Sequence, residues 1–583
     1  MFKSFTGVLV GALLLCGAFS RSAQAQARDL ELLEVYELAA SIVSRQNPLF
    51  LFPGLQADQV SVNGNGGEYH IVINGLGLPG SMATVPEPVT LRLPQSISDG
   101  DLIDVMMEGM PTSTIMPSGQ SLKLINPQFQ GRWSIKNRGF DSFDLSVDRI
   151  RFQGAGISYT VRKLTASLSS GPERQVLSLK VGGFDADYGD SFTGTERAKG
   201  LAVELSVPTR AMSGQVLLAL AYRLSGLLLN ETEVQERLAP EPPLVSSLNG
   251  LQIKFEFDGE SWEQIVPPSK GKLGPLSLTA AVQDGDGPGD SRVTLSASLR
   301  SMQQTLEQME VTVSRPSTFE VVLNGINAQA LADVLLDRRE GFDAPDLGGP
   351  VAFSATVDIG GFDVTVPQID LDFGAKMLAG RVQSAPQDDG QQSFELRARA
   401  DDLQVSNWQD KAQLEPFAST VITPALPKEA ALGISVEGLK SEDVQNLLSA
   451  ALAIDLRGVV KALPDDLGAL ELVLSDSFYR SRLIEAEWSG RLKPRAGRVP
   501  VQGTFDLVTG PLAPLQIGMQ QSIGTPVPAI SQAMSGGILG LTLLQTFAVR
   551  EEGGKLRFEM EFPEAGGLPL VNGRPLPFQQ FIR

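Results

Sequence analysis

The sequence predicts a mainly β protein of α+β type: antiparallel curved sheets in about four repeated strand-plus-helix units, with helices packed on the concave sheet faces. Three observations predict it. Apolar and polar residues alternate over strand-length segments, the connections carry hairpin chemistry, and the chain resembles itself at a spacing near 114 residues.

The alternation is clearest in VAFSATVDI, where Val351, Phe353, Ala355, Val357 and Ile359 fall on one face and Ser354, Thr356 and Asp358 on the other. In KLRFEMEF, Leu556, Phe558, Met560 and Phe562 alternate with Lys555, Arg557, Glu559 and Glu561. Period two with one wet face is the pattern of an antiparallel strand. SSGPER, QDGDGPGD, QDDGQQ and NGNGGE supply the glycine and Asx residues of hairpin turns, so neighbouring segments pair.

At an offset of 114, Leu91, Pro94, Gly100 and Leu102 align with Leu205, Pro208, Gly214 and Val216, and LTASLSS at Leu164 aligns with LTAAVQD at Leu278. Two later stretches, 321–336 and 434–449, share a strand end, a glycine (Gly325, Gly438) and a helix start. Leu102, Val216, Leu331 and Val444 then mark the first apolar helix position of four copies. FDLSVDRIRF at Phe143 also aligns with FDVTVPQIDL at Phe362. The resulting division is a signal peptide over 1–27, an N-terminal helix and strands over 28–97, and repeat units over 98–210, 211–325, 326–438 and 439–583, the last holding a C-terminal helix and strand. In the fourth unit Ser441 is an N-cap and Val444, Leu447, Leu448 and Ala451 form the helix stripe that should face the sheet. DLELLEVYELAASIV and SQAMSGGILGLTLLQTF are helices framing the repeats.

The first 27 residues read as a secretory leader: Lys3, an apolar core GVLVGALLLCGAF, and the cleavage signals Ala23-Gln24-Ala25 and Ala25-Gln26-Ala27. Leu14 and Leu15 stand where lipoprotein processing at Cys16 would need small residues, so the mature chain is expected to be cysteine-free, without disulfides or thiolate chemistry. No later apolar run reaches spanning length, since 537–549 is short and carries Gln545. Removing Lys3 and Arg21 leaves 46 basic against 67 acidic residues, a net charge of −21. An acidic surface repels phosphate, which disfavours nucleic acid as a partner. The expectation is an exported, soluble, periplasmic protein with no transmembrane segment in the mature chain.

Catalytic chemistry is hard to place. The single histidine, His70, sits in GEYHIVING on a strand face shared with Val72, and no G-x-S-x-G elbow occurs. The best metal loop, QDGDGPGDS with Asp284, Asp286 and Asp290, fails the EF-hand pattern at Pro288 and Leu295 and reads as a hairpin tip. Phosphate-cradling glycine loops are missing. Trp133, Trp262, Trp408 and Trp488 read as core packing. The sequence therefore assigns no catalytic, cofactor-binding or metal-ligating residue and no cofactor.

The closing segment KLRFEMEFPEAGGLPLVNGRPLP, with GTFDLVTGPLAPL and GGILGLTLLQTF before it, resembles the end of uncharacterised Gram-negative periplasmic proteins of the domain-of-unknown-function family two-one-two-five, or of YdgA-like proteins. The repeated amphipathic strands are more distantly similar to AsmA-like envelope proteins. The closer resemblance implies an envelope location and a non-enzymatic role and carries over no site residue; the more distant one implies curved sheets that carry lipid. Three functions follow as expectations: a lipid or hydrophobic-ligand binder using apolar concave faces, a scaffold with a possible envelope protein partner, and a carboxylate-dependent hydrolase.

Overall fold

The computed structural model describes residues 28–43, 59–74, 88–97, 102–108, 113–115, 121–135, 139–154, 157–188, 194–209, 249–264, 268–284, 291–327, 351–369, 371–386, 391–406, 417–442, 444, 470–494, 501–525, 527–564 and 568–575. Strands make up 69% and helices 15% of it, and the sheets are antiparallel, as the alternation requires. The chain clusters into two compact units, Met1–Leu295 with Ile326–Gly348 and Ser296–Gly325 with Gly349–Arg583. The leader and its cleavage signals, the helix starts at Val216 and Leu331, Leu447 and Leu448, Trp408 and Asp286 to Asp290 lie outside the described residues.

The first unit begins with helix α1 (Leu32–Val43), whose first turn is closed by the Glu34 carboxylate accepting the Glu31 N–H at 3.0 Å. An antiparallel meander follows: β1 (Gln59–Asn65), β2 (Glu68–Asn74), β3 (Val89–Pro94), β4 (Leu102–Met107), β5 (Ser121–Ser134), β6 (Gly139–Gly154), β7 (Ile157–Ser170) and β8 (Arg174–Asp187). Beyond β8 each span is broken in two. β9 (Gly194–Ala198) and β10 (Leu201–Pro208) pair with β12 (Glu260–Gln264) and β11 (Gln252–Phe257), which pair with β13 (Ser269–Leu273) and β14 (Leu276–Asp284).

The breaks lie on one line across the strands. Asn126 and Lys163 adopt left-handed φ of 51° and 52°, with Asn126 held by Asp148 at 2.8 Å; the line continues through Gly182, Gly200 and Gly259. At Gly259 φ is +117° and a Cβ would lie 2.6 Å from the Leu273 carbonyl oxygen, so only glycine fits. A crease of bulges bends a sheet by interrupting its ladder only locally.

Leu102 is not a helix position. Leu102–Met107 is a strand with Ile103 and Val105 buried, Asp104 exposed, and Ile103 opposite Trp133. Three alternating residues satisfy a helical and a strand template equally, and pairing with β5 decides for the strand. The other aligned stretches, Leu91 with Leu205, Leu164 with Leu278 and Phe143 with Phe362, fall strand on strand. Ser441, Glu442 and Val444 are helical, and Val444 is buried.

The core of the first unit is one apolar face. Register places Phe129, Leu145, Ala166, Leu179, Val203, Phe255 and Leu278 in a single cross-strand row. Leu145 is 1% exposed, and Val35, Leu38 and Ala39 of α1 belong to the same buried cluster. Each such leucine contributes roughly 1.5–3 kcal/mol by burial. The burial fades along the row until Leu278 is 37% exposed.

In the second unit β15 (Met302–Leu306), β16 (Met309–Val313) and β17 (Ser317–Ile326) lead into β18 (Ala352–Val366), β19 (Leu371–Pro386), β20 (Gln391–Asp401), β21 (Glu429–Lys440), β22 (Glu471–Arg480), β23 (Glu485–Pro494), β24 (Val501–Thr509) and β25 (Leu556–Phe562). Between β24 and β25 stand helices α2 (Ala513–Ser522) and α3 (Pro528–Phe547). α2 seats on the helical turn Ala418–Ile422: Ser522 meets Thr420 hydroxyl to hydroxyl at 2.8 Å, and a Cβ on Gly518 would lie 2.6 Å from the Thr420 carbonyl oxygen.

The closing turn Asn572-Gly573, with φ of 49° and 73°, clamps the far end of α3. Asn572 Nδ2 donates to the carbonyls of Phe547 at 2.7 Å and Arg557 at 2.9 Å, its Oδ1 accepts from Glu559 N–H, and Arg574 donates to the Thr546 carbonyl. The bonds to Phe547 and Thr546 satisfy carbonyls at the helix end. Asn572→Ala removes three bonds, so it should destabilise the unit by about 1–3 kcal/mol and speed amide exchange in β25 and the last turn of α3; unchanged exchange there would show that the clamp is not holding.

Candidate ligand-binding face

Register lines up the apolar side chains of the second unit as it does those of the first. One row runs Val321, Ala355, Val382, Leu396, Ile434, Leu474, Gly490, Phe505 and Met560; a second runs Leu323, Phe353, Ser384, Phe394, Val436, Leu472, Leu492, Gly503 and Phe562. A third begins Phe319, Val357, Gly380 and Ala398. No charged residue interrupts them. At about 4.8 Å per strand, nine strands span roughly 38 Å, more than the ~30 Å hydrocarbon thickness of a bilayer.

Among the described residues the difference from the first unit is depth of burial. Every member of the Val321 to Met560 row is only half-buried, Phe319 is 40% and Val357 38% exposed, and the buried cluster of this unit shrinks to Leu512, Leu556, Phe558 and Val571 at the α2–β25 end. The opposite face is polar and cross-braced: Arg397 with Glu395 and Asp476, Arg399 with Asp401, Arg480 with Glu429 and Glu487, Arg491 with Glu437 and Glu471, and Arg557 with Asp506. Exposed pairs of this kind contribute little each. Their charges mark which face is made for water, and the other can solvate hydrocarbon.

A second constellation lies in the first unit. Register sets Ala198 opposite Glu260 and Glu196 opposite Trp262, so the two glutamates are diagonal neighbours on one face. Glu196 is buried and accepts the Tyr188 hydroxyl at 2.7 Å. Burial, then the hydrogen bond and charge of Glu196, push the Glu260 carboxyl up to about 8, so it carries the proton that Glu196 accepts. Such a pair can store one proton. Two hollows among the described residues, of about 320 and 290 Å³, lie on the polar face of the second unit around Asp476 and Phe478.

Residues singled out by sequence are dispersed. His70 stands half-exposed on β2, 3.9 Å from both Glu68 and Glu108, whose charges Arg92 also meets. Trp133 is in the core; Trp262 lies over Gly271 and Trp488 is half-buried on β23. Asp284 ends β14. Among the described residues no group of three or more His, Cys, Asp or Glu is arranged to hold a metal ion. Glu196, Glu260 and Tyr188 escaped the sequence reading because 64 residues separate the glutamates and only register joins them. No protein-family model matches the chain, and no curated protein matches it.

The proton held by Glu260 makes stability depend on pH with a fixed sign. Its folded pKa lies above its ordinary value, so the folded state binds a proton that the unfolded chain has released; its stability contribution is full below about pH 4.5 and is lost as pH rises towards 8. Glu260→Gln should therefore flatten the fall in thermal midpoint between about pH 5 and pH 8; a variant with the wild-type slope would show that the pair does not share a proton.

Proposed function

We propose that the protein is an exported, non-enzymatic component of the cell envelope that binds lipid or a similar hydrophobic ligand on the apolar face of its second unit. The observation that carries this reading is the partial burial of that face: among the described residues, rows of Val, Leu, Ile and Phe run half-buried across nine strands, while Leu145, Ala166 and Leu179 in the row of the first unit are sealed. An apolar face left in water is costly at roughly 25 cal/mol per Å², and contiguous patches of this kind mark interaction sites. Acyl chains suit it because the face offers mostly hydrocarbon contact, spread along a strip rather than gathered in a pocket. The leader-like N-terminus and the resemblance to envelope proteins support the same setting. Among the described residues no helix is long and apolar enough to cross a membrane.

Native mass spectrometry of gently purified protein tests the reading: lipid should be bound in a reproducible ratio, and Val357→Glu with Leu396→Glu, which set two charges on the face, should release it at least tenfold. Protein that is clean of lipid and ignores fluorescent fatty acids would overturn the proposal in favour of a scaffold whose face is covered by another protein.

A further inference from the structure

From Leu507 to Val549 the chain carries no Asp, Glu, Lys, Arg or His, forty-three residues in a protein of which 20% is charged. Such a run would be unremarked in a buried core, but α3 fills its second half and none of the helix residues is buried. Leu539 is 64% exposed, and Leu543, one turn on and on the same face, and Leu544 are exposed as well, as is Val549 just past the helix end. Gly536 and Gly540 border them with open space above.

The hydroxyls of α3 are bonded to backbone, while Gln532 is exposed and Gln545 half-buried. All four hydroxyls of the helix donate to backbone carbonyls: Ser531 to Ile523, Ser535 to Ser531, Thr542 to Ile538 and Thr546 to Leu543, at 2.6–2.9 Å. Hydroxyls bonded in this way need no water, which is how serine and threonine are carried in an apolar medium. The last carbonyls are met by Asn572 and Arg574. The helix thus combines exposed leucines, self-satisfied hydroxyls and complete absence of charge, while charge resumes at once with Arg550, Glu551 and Glu552.

We propose that α3 is a membrane-surface docking helix that lies in the plane of a bilayer and inserts the face bearing Leu539 and Leu543 at the acyl boundary. It is not long and apolar enough to cross. A helix that binds flat does so through its buried apolar area, aided in other cases by basic residues against anionic lipid; here no basic residue is on offer within the run, and the net charge of the chain is −19. The matching surface is an electrically neutral, zwitterionic bilayer, and docking is by apolar burial alone, indifferent to salt and favoured by the packing defects of tightly curved membranes. This inference stands apart from ligand binding on the sheet, since the two surfaces share no residue.

The test is flotation of the full chain with dioleoylphosphatidylcholine vesicles, sonicated and extruded, at low and high salt. The protein should float, more with the small vesicles and equally at both salt levels. Leu539→Glu with Leu543→Glu, both at exposed positions and checked for wild-type thermal unfolding, should lower the floated fraction about tenfold or more. Native mass spectrometry of the Leu539/Leu543 variant reads lipid on the sheet separately from flotation, so that failure of the sheet reading and failure of the helix reading are told apart. Leu539→Trp should show a blue-shifted emission on adding vesicles. Absence of flotation, equal flotation of the Leu539/Leu543 variant, or a wild-type dimer that this variant converts to monomer without any lipid binding would overturn the proposal, the last outcome assigning the face to a second copy of the chain.

Discussion

The structure depends on one constraint: an antiparallel strand with period-two patterning puts its whole hydrocarbon content on one side, and a meander of such strands in constant register sums those sides into a single apolar face. Among other differences, the two units bury that face to different depths. In the first unit Leu145, Ala166 and Leu179 are sealed and α1 contributes Val35, Leu38 and Ala39 to the same cluster. In the second the same kind of row, from Val321 to Met560, is left half-open. Ladder hydrogen bonds hold both sheets, but among the described residues the hydrophobic term that would lock a two-layer domain is larger in the first.

The creases follow from the same constraint. A long sheet must twist, and it relieves the twist where residues tolerate left-handed or bulged backbone. Asn126, Lys163 and Gly259 in the first unit, and Gly361 and Asp402 in the second, with φ of 58° and 52°, take those places. They turn the sheet without interrupting the apolar rows on either side, so the face stays continuous while the strands bend.

How much of this was legible depended on range. KLRFEMEF and VAFSATVDI announce their strands because the period is local, and α1 and α3 announce themselves by their apolar content. Leu102 reads as a helix position because so short an alternation has no unique period, and the β5 residues that settle it, Gln130 to Ser134, lie 24 to 32 residues on. The Asn572-Gly573 turn was readable, but not that it grips the end of α3, since that contact spans 25 residues and a helix terminus. The Glu196 and Glu260 pair left no local trace. The open face was invisible for a deeper reason: alternation tells which residues share a side and says nothing of whether anything covers it.

The central claim is therefore a difference in solvent access between two chemically similar faces, and the chain allows a clean measurement of it because its only cysteine, Cys16, lies in the leader-like segment. Single cysteines placed at Ile434 and Leu396 in the second unit and at Leu145 and Leu179 in the first, in the chain lacking residues 1–27, should react very differently with a small thiol reagent under native conditions. The account predicts labelling at Ile434 and Leu396 within an order of magnitude of a free peptide thiol, slowed by added lipid, and protection at Leu145 and Leu179 set by unfolding. Equal protection at all four positions in lipid-free protein would mean that the second face is covered as fully as the first, and would contradict it.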